Sequence, residues 1–461
     1  MKLTDWIFKP DPYTKIPGKK ELTLGKEVVE LNDPTYVYIP LTNHTNLNCQ
    51  PIVTVGERVL VGQEVGSRTD EINIPMHASV SGEVVGIEKK WHRSGKQVPC
   101  IKIKNDFLYE SDSTHQPINQ PEKLPREMIV ELMRKNGVVG LGGSGFSTYI
   151  KYLKPASIHT VLINGVECEP YLTTDYHGIF HQEKRLFDGI EFLMKSADAS
   201  RAIIAIKKGK TKLKAFLEEM VKHYGVEGIL SIVEVPDAYP LGWEKVLIKT
   251  ITGKDYDKLP AELGYVVSNV GTAIATSFAV RDNQPLIRRL VTVSGEGIKN
   301  PGVYDVRVGT PAKELIELAG GYVDEADEVN LIVGGPMMGQ AMRNEDFIIS
   351  RGVNGIIVLP TKKKALKSQS DCLKSILWPF DKNENQLKKD EQPCVKCGRC
   401  TDHCPVGLQP VLIKESAKRR DKQSLLKLKT TSCVECGMCS YICPSHIEVT
   451  EFIRRGKRIL K

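Results

Sequence analysis

Residues 394–405 read CVKCGRCTDHCP, and residues 433–444 read CVECGMCSYICP. Each run places cysteines at intervals of three, three and four and then a proline. Three thiolates at such spacing wrap one face of a [4Fe–4S] cluster, while the fourth points to a neighbouring cluster. One cluster is therefore expected on Cys394, Cys397, Cys400 and Cys443, and the other on Cys433, Cys436, Cys439 and Cys404. Gly398 and Gly437 suit the tight turns that aim amides at sulfur, and Pro405 and Pro444 end each motif. Zinc sites use paired CxxC knuckles, usually without a third close cysteine and a trailing Cys-Pro. Two adjacent clusters pass single electrons and do no bond chemistry themselves.

The remaining four of twelve cysteines (Cys49, Cys100, Cys168, Cys372) are scattered and read as small buried hydrophobes. Basic residues outnumber acidic ones two to one over 361–461, within a net charge of +8 for 461 residues. An acidic protein partner, anionic headgroups or a solvated helical face all suit that tail. Nucleic acid is not expected as a partner, because no recognised binding motif accompanies the charge. No run approaches the roughly 18 apolar residues of a membrane span, and the N-terminus lacks a secretory h-region.

Upstream of the cysteines the chain reads as a multidomain α/β plus β protein. Residues 1–34 form a leader rich in Pro, Lys and Gly. Residues 35–108 hold short β runs with Gly56, Gly62, Gly66, Gly82 and Gly86 at turns, a pattern similar to the barrel-sandwich hybrid of lipoyl carriers. The expected hairpin tip, Thr69–Asn73, has no lysine for a swinging arm, so the domain reads as structural. Residues 106–124 read as a linker. Over 125–288, strand-like runs (HTVLING, RAIIAIKK, LSIVEVP) alternate with amphipathic helices, predicting a parallel sheet. Residues 289–360 read as a β-grasp module, 361–391 as a linker, and 392–461 as the helical two-cluster domain.

Gly140-Leu-Gly142-Gly143-Ser-Gly145 matches GxGxxG, but the element before it, REMIVELMRKNG, is helical. A standard dinucleotide fold needs a strand there, so that reading is rejected. Four glycines still let backbone N–H groups approach a phosphate or a flat ring; a plain turn is the bland alternative. Asn164, Glu167 and Glu169 follow a strand, at the end where α/β sheets bind ligands. Tyr239–Glu244 and Ser268–Thr272 are two further Gly/polar turns.

Taken in order, VVGLGGSGFST, LINGVECEPYLTTD, YPLGWEKVLI, LPAELGYVVSNVGTA, VTVSGEGIKNPGVY, GGPMMG and CVECGMCSYICPSHI resemble the RnfC family, the C component of the Rnf ferredoxin:NAD+ oxidoreductase complex. Its central domain is similar to the NADH-oxidising flavoprotein of complex I. The resemblance implies a Rossmann-like FMN domain, an SLBB-type β-grasp, and the cofactors FMN and two [4Fe–4S] clusters, with NAD(H) as substrate. It implies that Gly142, Gly143 and Gly145 line the crevice, Phe146 stacks on adenine and Lys151 faces phosphates. Asn164, Glu167 and Glu169 would contact flavin and nicotinamide, with Glu167 and Glu169 as the catalytic pair. Gly242 and Glu244 would close the site, and Asn269 and Thr272 would hold the FMN phosphate. Partners would be the other membrane and peripheral Rnf subunits, with ferredoxin reached indirectly, at the cytoplasmic face of the cell membrane and coupled to Na+ or H+ translocation. Val166, Ser147, Trp243, Lys154 and the FKPDPYTK leader depart from the related patterns. Two alternatives stand beside this reading: a soluble FMN/iron–sulfur reductase serving a cobalamin or amino-acid reductase, and a non-catalytic electron relay.

Overall fold

A computed structural model describes residues 14–31, 33–42, 49–68, 74–153, 157–324, 328–361 and 391–460. Thr69–Asn73, Lys154, Cys372 and almost all of the 361–391 linker lie outside them.

The central sheet is built from strands whose sequences are nearly continuous in Val, Ile and Leu, as a sheet covered on both faces requires. Thr160–Asn164, Arg201–Lys207, Leu230–Val235 and Tyr265–Asn269 are all parallel. The first strand is flanked by the second and the fourth, and the third lies outside the second. The chain thus winds outward from Thr160–Asn164 and then returns to its other side. That reversal is a topological switch point, where a crevice opens at the carboxyl ends of the two adjacent strands. Asn164 and Asn269 end those strands and are register partners. The loop Gly140–Gly145 comes before the first strand and after helix Arg126–Lys135, in the order the sequence indicates.

Helix Val270–Arg281 follows Asn269 and is apolar on nearly every side, which suits an element packed all round. It lies against helix Glu183–Ala197 at Gly189, where a Cβ would collide with the carbonyl of Ala273. This crossing fixes the helix whose N-terminus opens on the crevice.

Two small antiparallel sheets form the barrel-sandwich domain, with Val37, Val59, Val65, Val80, Ile101 and Ile103 in its core. The β-grasp sheet has six strands, and here the structure corrects the sequence reading. Residues 1–34 are not an irregular leader throughout. Val28–Leu31 is a strand, paired parallel to Gly302–Arg307 at the edge of the β-grasp sheet. Before it, Thr14 bridges Tyr239, Gly18 O accepts from Tyr171 N (2.7 Å), and Thr23 bonds Thr173 (2.7 Å). A short, charged segment escaped notice because it borrows its core from another domain. The last domain packs helices Pro410–Lys418, Lys422–Lys427 and Val449–Leu460 around Ile413, Leu425 and Ile453.

The crossing at Gly189 makes a prediction. Alanine there would normally favour a helix by up to about 1 kcal/mol. Here it should destabilise by about 1–3 kcal/mol, because backbone must move. A thermal scan of Gly189→Ala should show a lowered midpoint; an unchanged or raised midpoint would contradict so close a crossing.

Candidate flavin and iron–sulfur site

The two cysteine runs fold alike. Lys396 and Gly398 take φ of 55° and 80°, and Glu435 and Gly437 take 59° and 79°. Non-glycine residues adopt this left-handed backbone at a cost, and here it turns amides toward sulfur. Glu435 N donates to Cys433 Sγ, and Leu408 N donates to Cys404 Sγ, both at 3.3 Å. Thr450 Oγ1 lies 3.2 Å from Cys439 Sγ. Cys404 of the first run lies within electrostatic reach of Cys433, Cys436 and Cys439. Cys400 has Cys443 and Cys397 beside it. Among the described residues no three such groups are arranged to hold a single metal ion. The crossed thiol sets and inward amides fit two multi-iron clusters.

The ends of this pair differ. Cys394 and Cys397 are exposed, whereas Cys436 is buried. Cys436 and Met438 pack against Tyr239 and Met337, with Cys168, Trp243 and Met338 around them. Tyr239 donates its hydroxyl to Cys436 O at 2.5 Å. A Cβ on Gly437 would sit 3.0 Å from Met337 O. The second run therefore seats on loops of the flavin and β-grasp domains, and the first faces outward. Trp243, a departure from the related pattern, is one of the side chains joining the two domains.

The Gly-rich loop is closed on itself: Gly140 N donates to Phe146 O (2.7 Å) and Gly145 N to Gly140 O (2.8 Å). Gly143 and Gly145 have φ of 105° and 65°, conformations that favour glycine. Arg93, from the barrel-sandwich domain, donates to Gly143 O. Gly142 lies over Asn269, where a Cβ would meet the amide side chain at 3.1 Å. Thr272 Oγ1 accepts Leu141 N at 2.9 Å. Phe146 is exposed at the loop tip.

Across the crevice, Asn269 caps its helix by accepting Gly271 N (2.9 Å) and donates to Asp175 (2.7 Å). Asn164 donates to Gly242 O at 2.7 Å and accepts Val166 N at 3.1 Å. Lys151 donates to Val267 O (2.7 Å) and pairs with Glu244 (3.3 Å). A cavity of about 130 Å³ continues inward past Leu141, Asp175, Asn269, Gly271 and Arg289. A glycine cradle, a capped helix N-terminus and convergent amides at a switch point fit a flat, phosphate-bearing cofactor.

The two acids differ in setting. Glu167, with φ 41°, accepts Asp175 N (2.9 Å) and Thr174 Oγ1 (3.2 Å) and faces Lys20. Glu169 accepts Met337 N at 3.0 Å, and burial raises its carboxyl to about 7. Burial, with Glu167 beside it, also pushes Asp175 up. The Tyr239 hydroxyl, which donates to Cys436 O, lies within electrostatic reach of Glu169.

Of the residues expected at the nucleotide site, Asn269 lines the cavity, Gly142 lies over it and Asn164 ends the neighbouring strand, while Glu167 and Thr272 spend their side chains on holding loops. Sequence reasoning passed over Lys20, Arg93, Asp175, Tyr239 and Met337 as site residues. Asp175 stands within the quoted LTTD phrase, Tyr239 opens YPLGW and Met337 lies in GGPMMG; Lys20 and Arg93 carry no motif.

Family models match four segments: the RnfC barrel sandwich hybrid domain over 14–108, the Nuo51 FMN-binding domain over 133–277, the SLBB domain over 290–341 and the 4Fe-4S dicluster domain over 386–456. The C component of the Na(+)-translocating ferredoxin:NAD(+) oxidoreductase complex of Acetobacterium woodii is 34% identical, over 87% of this chain and 86% of the relative. The proton-translocating counterpart of Clostridium ljungdahlii is also 34% identical, over 86% and 81%. Among solved structures, an NAD+-reducing [NiFe]-hydrogenase in the H2-reduced state superposes with a TM-score of 0.50 at 16% identity. That match spans 75% of this chain and 63% of the hydrogenase chain, a likeness of fold. On the identity and coverage of these relatives, the chain belongs to the RnfC family of the Rnf complex.

Proposed function

We propose that this chain is the NAD(H)-linked flavo-iron–sulfur subunit of an Rnf membrane complex, seated peripherally at the cytoplasmic face of the cell membrane. Among the described residues no helix is long and apolar enough to cross a membrane. Membrane and peripheral partner subunits would carry electrons onward to or from ferredoxin and translocate Na+ or H+. The observation that carries the proposal is the seating of Cys436 on the crevice, through Tyr239 and Met337. A nucleotide site alone would need no cluster loop there, and a bare relay would need no crevice.

Bound FMN supplies the chemistry that links a two-electron hydride donor to one-electron carriers. The phosphate end would fall to Asn269 and Gly142 at the N-terminus of helix Val270–Arg281. Thr272 holds Leu141 in place beneath them. Gly143 and Gly145 keep side chains out of the ligand's path, and exposed Phe146 offers a face for adenine. Lys151 and Glu244, paired with each other, would supply charge to the nucleotide. Asn164 and Gly242 set the floor. Glu169, whose carboxyl burial raises to about 7, would hold or yield a proton at its carboxyl oxygen. Glu167 keeps its loop in shape. Cys436 and Met438, packed on Tyr239 and Met337, would hold the second run's cluster on the crevice side, and exposed Cys394 and Cys397 would hold the other towards a partner.

Three outcomes are expected. Protein reconstituted anaerobically with iron, sulfide and FMN should bleach its flavin on addition of NADH and then show reduced-cluster EPR signals. Flavin that stays oxidised, with clusters still reducible by dithionite, would sink the NADH site and leave an electron relay.

For the crossed ligation, Cys443→Ala should lose the cluster of Cys394, Cys397 and Cys400 and keep that of the second run. Cys404→Ala should do the reverse. Mössbauer spectra in which each variant loses its own run's cluster would contradict this.

The third concerns pH. A carboxyl raised in the folded state favours folding below its unfolded value, and that stability is lost as pH rises through the folded one. For Glu169 the window runs from 4.5 to about 7. Denaturant titrations should show wild-type protein losing stability across it, and Glu169→Gln losing less. Equal slopes would refute a raised Glu169.

A further inference from the structure

One buried cation at the crevice has no place in the reading above. The segment before strand Val28–Leu31 threads under the loop Glu167–Leu172 and inserts Lys20, which is 7% exposed. Its ammonium donates to Glu169 O at 3.2 Å and to Leu172 O, and lies 3.7 Å from Glu167 Oε2. One acid pairs with the ammonium, Glu167, and two more, Glu169 and Asp175, lie within its electrostatic reach. Glu167 and Asp175 are joined through the Asp175 amide, and Glu169 lies two residues along the same loop. Burying an ammonium is costly unless it is paired and hydrogen-bonded, and here both conditions are met.

We propose that Lys20 is a positioning residue of the hydride site: it compensates the Glu167–Glu169–Asp175 cluster and fixes the charge that the bound flavin experiences. This rests on the flavin reading above. Burial works against the charged form of the ammonium; among the described residues Glu167 favours that form, while Lys207 and Lys210 oppose it. Lys207 is itself paired with Asp237 at 2.9 Å. Arg289 faces Asp175 from the β-grasp domain but stands beside Arg93. Lys20 in turn holds down the carboxyls of Glu169 and Asp175, against the burial that raises them.

The segment is tied along its length. Thr14 bridges Tyr239, Gly18 binds Tyr171, Thr23 binds Thr173, and Lys26 O accepts from His177 at 3.0 Å. Lys20 is thus delivered by a strap held at both ends, which fixes the ammonium against the loop.

The test uses the full chain with Lys20→Gln, which keeps a hydrogen-bond donor and loses the charge, and Lys20→Arg, which keeps both. Infrared carboxyl bands of the flavin-free protein report Glu169 and Asp175 directly. In Lys20→Gln they should titrate about 1 pH unit or more higher, the scale of losing an opposite charge within ~4–6 Å. In the FMN-loaded protein, the flavin midpoint potential above pH 8 should fall in Lys20→Gln, and Lys20→Arg should restore both readings. If Lys20→Gln does not fold, Lys20→Gln/Glu167→Gln removes both members of the pair and should return the potential toward wild type. A folded Lys20→Gln or double variant with unchanged carboxyl titration and potential, or with equal losses in Lys20→Arg, overturns the proposal and leaves Lys20 as packing. The infrared reading needs no nucleotide. A shifted titration in a protein whose flavin ignores NADH would therefore fault the NADH reading and not the Lys20 charge.

Discussion

The register of two parallel strands is the constraint on which the rest depends. Asn164 and Asn269 end adjacent strands as partners, at the place where the sheet's winding reverses. The first begins the loop that carries Glu167 and Glu169; the second starts the buried helix Val270–Arg281 and caps it. The Gly-rich loop lies close over Asn269, where a Cβ on Gly142 would crowd the amide side chain at 3.1 Å. A one-residue slip of either strand would turn its amide away from the crevice, and with it the hydrogen bond from Asn164 to Gly242 O or from Asn269 to Asp175.

On that frame the cluster domain is placed with a direction. Its second loop is buried on Tyr239, Met337 and Trp243, and its first loop is open. Electron transfer weakens steeply with distance, so a wire with one end in the crevice and one at the surface has a defined entry and exit. Near the entry lies the carboxyl of Glu169, within electrostatic reach of the Tyr239 hydroxyl that donates to Cys436 O.

Much of this was legible in the residues. The cysteine spacing carries its chemistry locally, since each turn is written in Gly398 or Gly437 and in the trailing proline. The Val/Ile/Leu runs declare a covered parallel sheet. The helix before Gly140 showed that the loop precedes the sheet and does not follow a first strand. What the sequence hid is what depends on distant partners. Val28–Leu31 is a strand only because Gly302–Arg307 offers it an edge. Lys20 reads as one of many lysines until the fold places it under Glu167. Trp243 reads as a flaw in a nucleotide pattern until Cys436 and Met438 pack beside it. Glu167 reads as a free carboxylate, yet the start of helix Thr174–His181 claims it.

The most direct test of the account is the order in which the clusters fill. Protein loaded with FMN and clusters would be mixed with NADH and freeze-quenched for EPR, in one variant lacking the outer cluster (Cys394→Ser) and one lacking the inner (Cys436→Ser). The account predicts that the cluster remaining in Cys394→Ser is reduced promptly after the flavin. In Cys436→Ser the flavin should bleach while the remaining cluster stays oxidised or fills far more slowly. Prompt reduction in Cys436→Ser and slow reduction in Cys394→Ser would contradict the seating of the second run on the crevice.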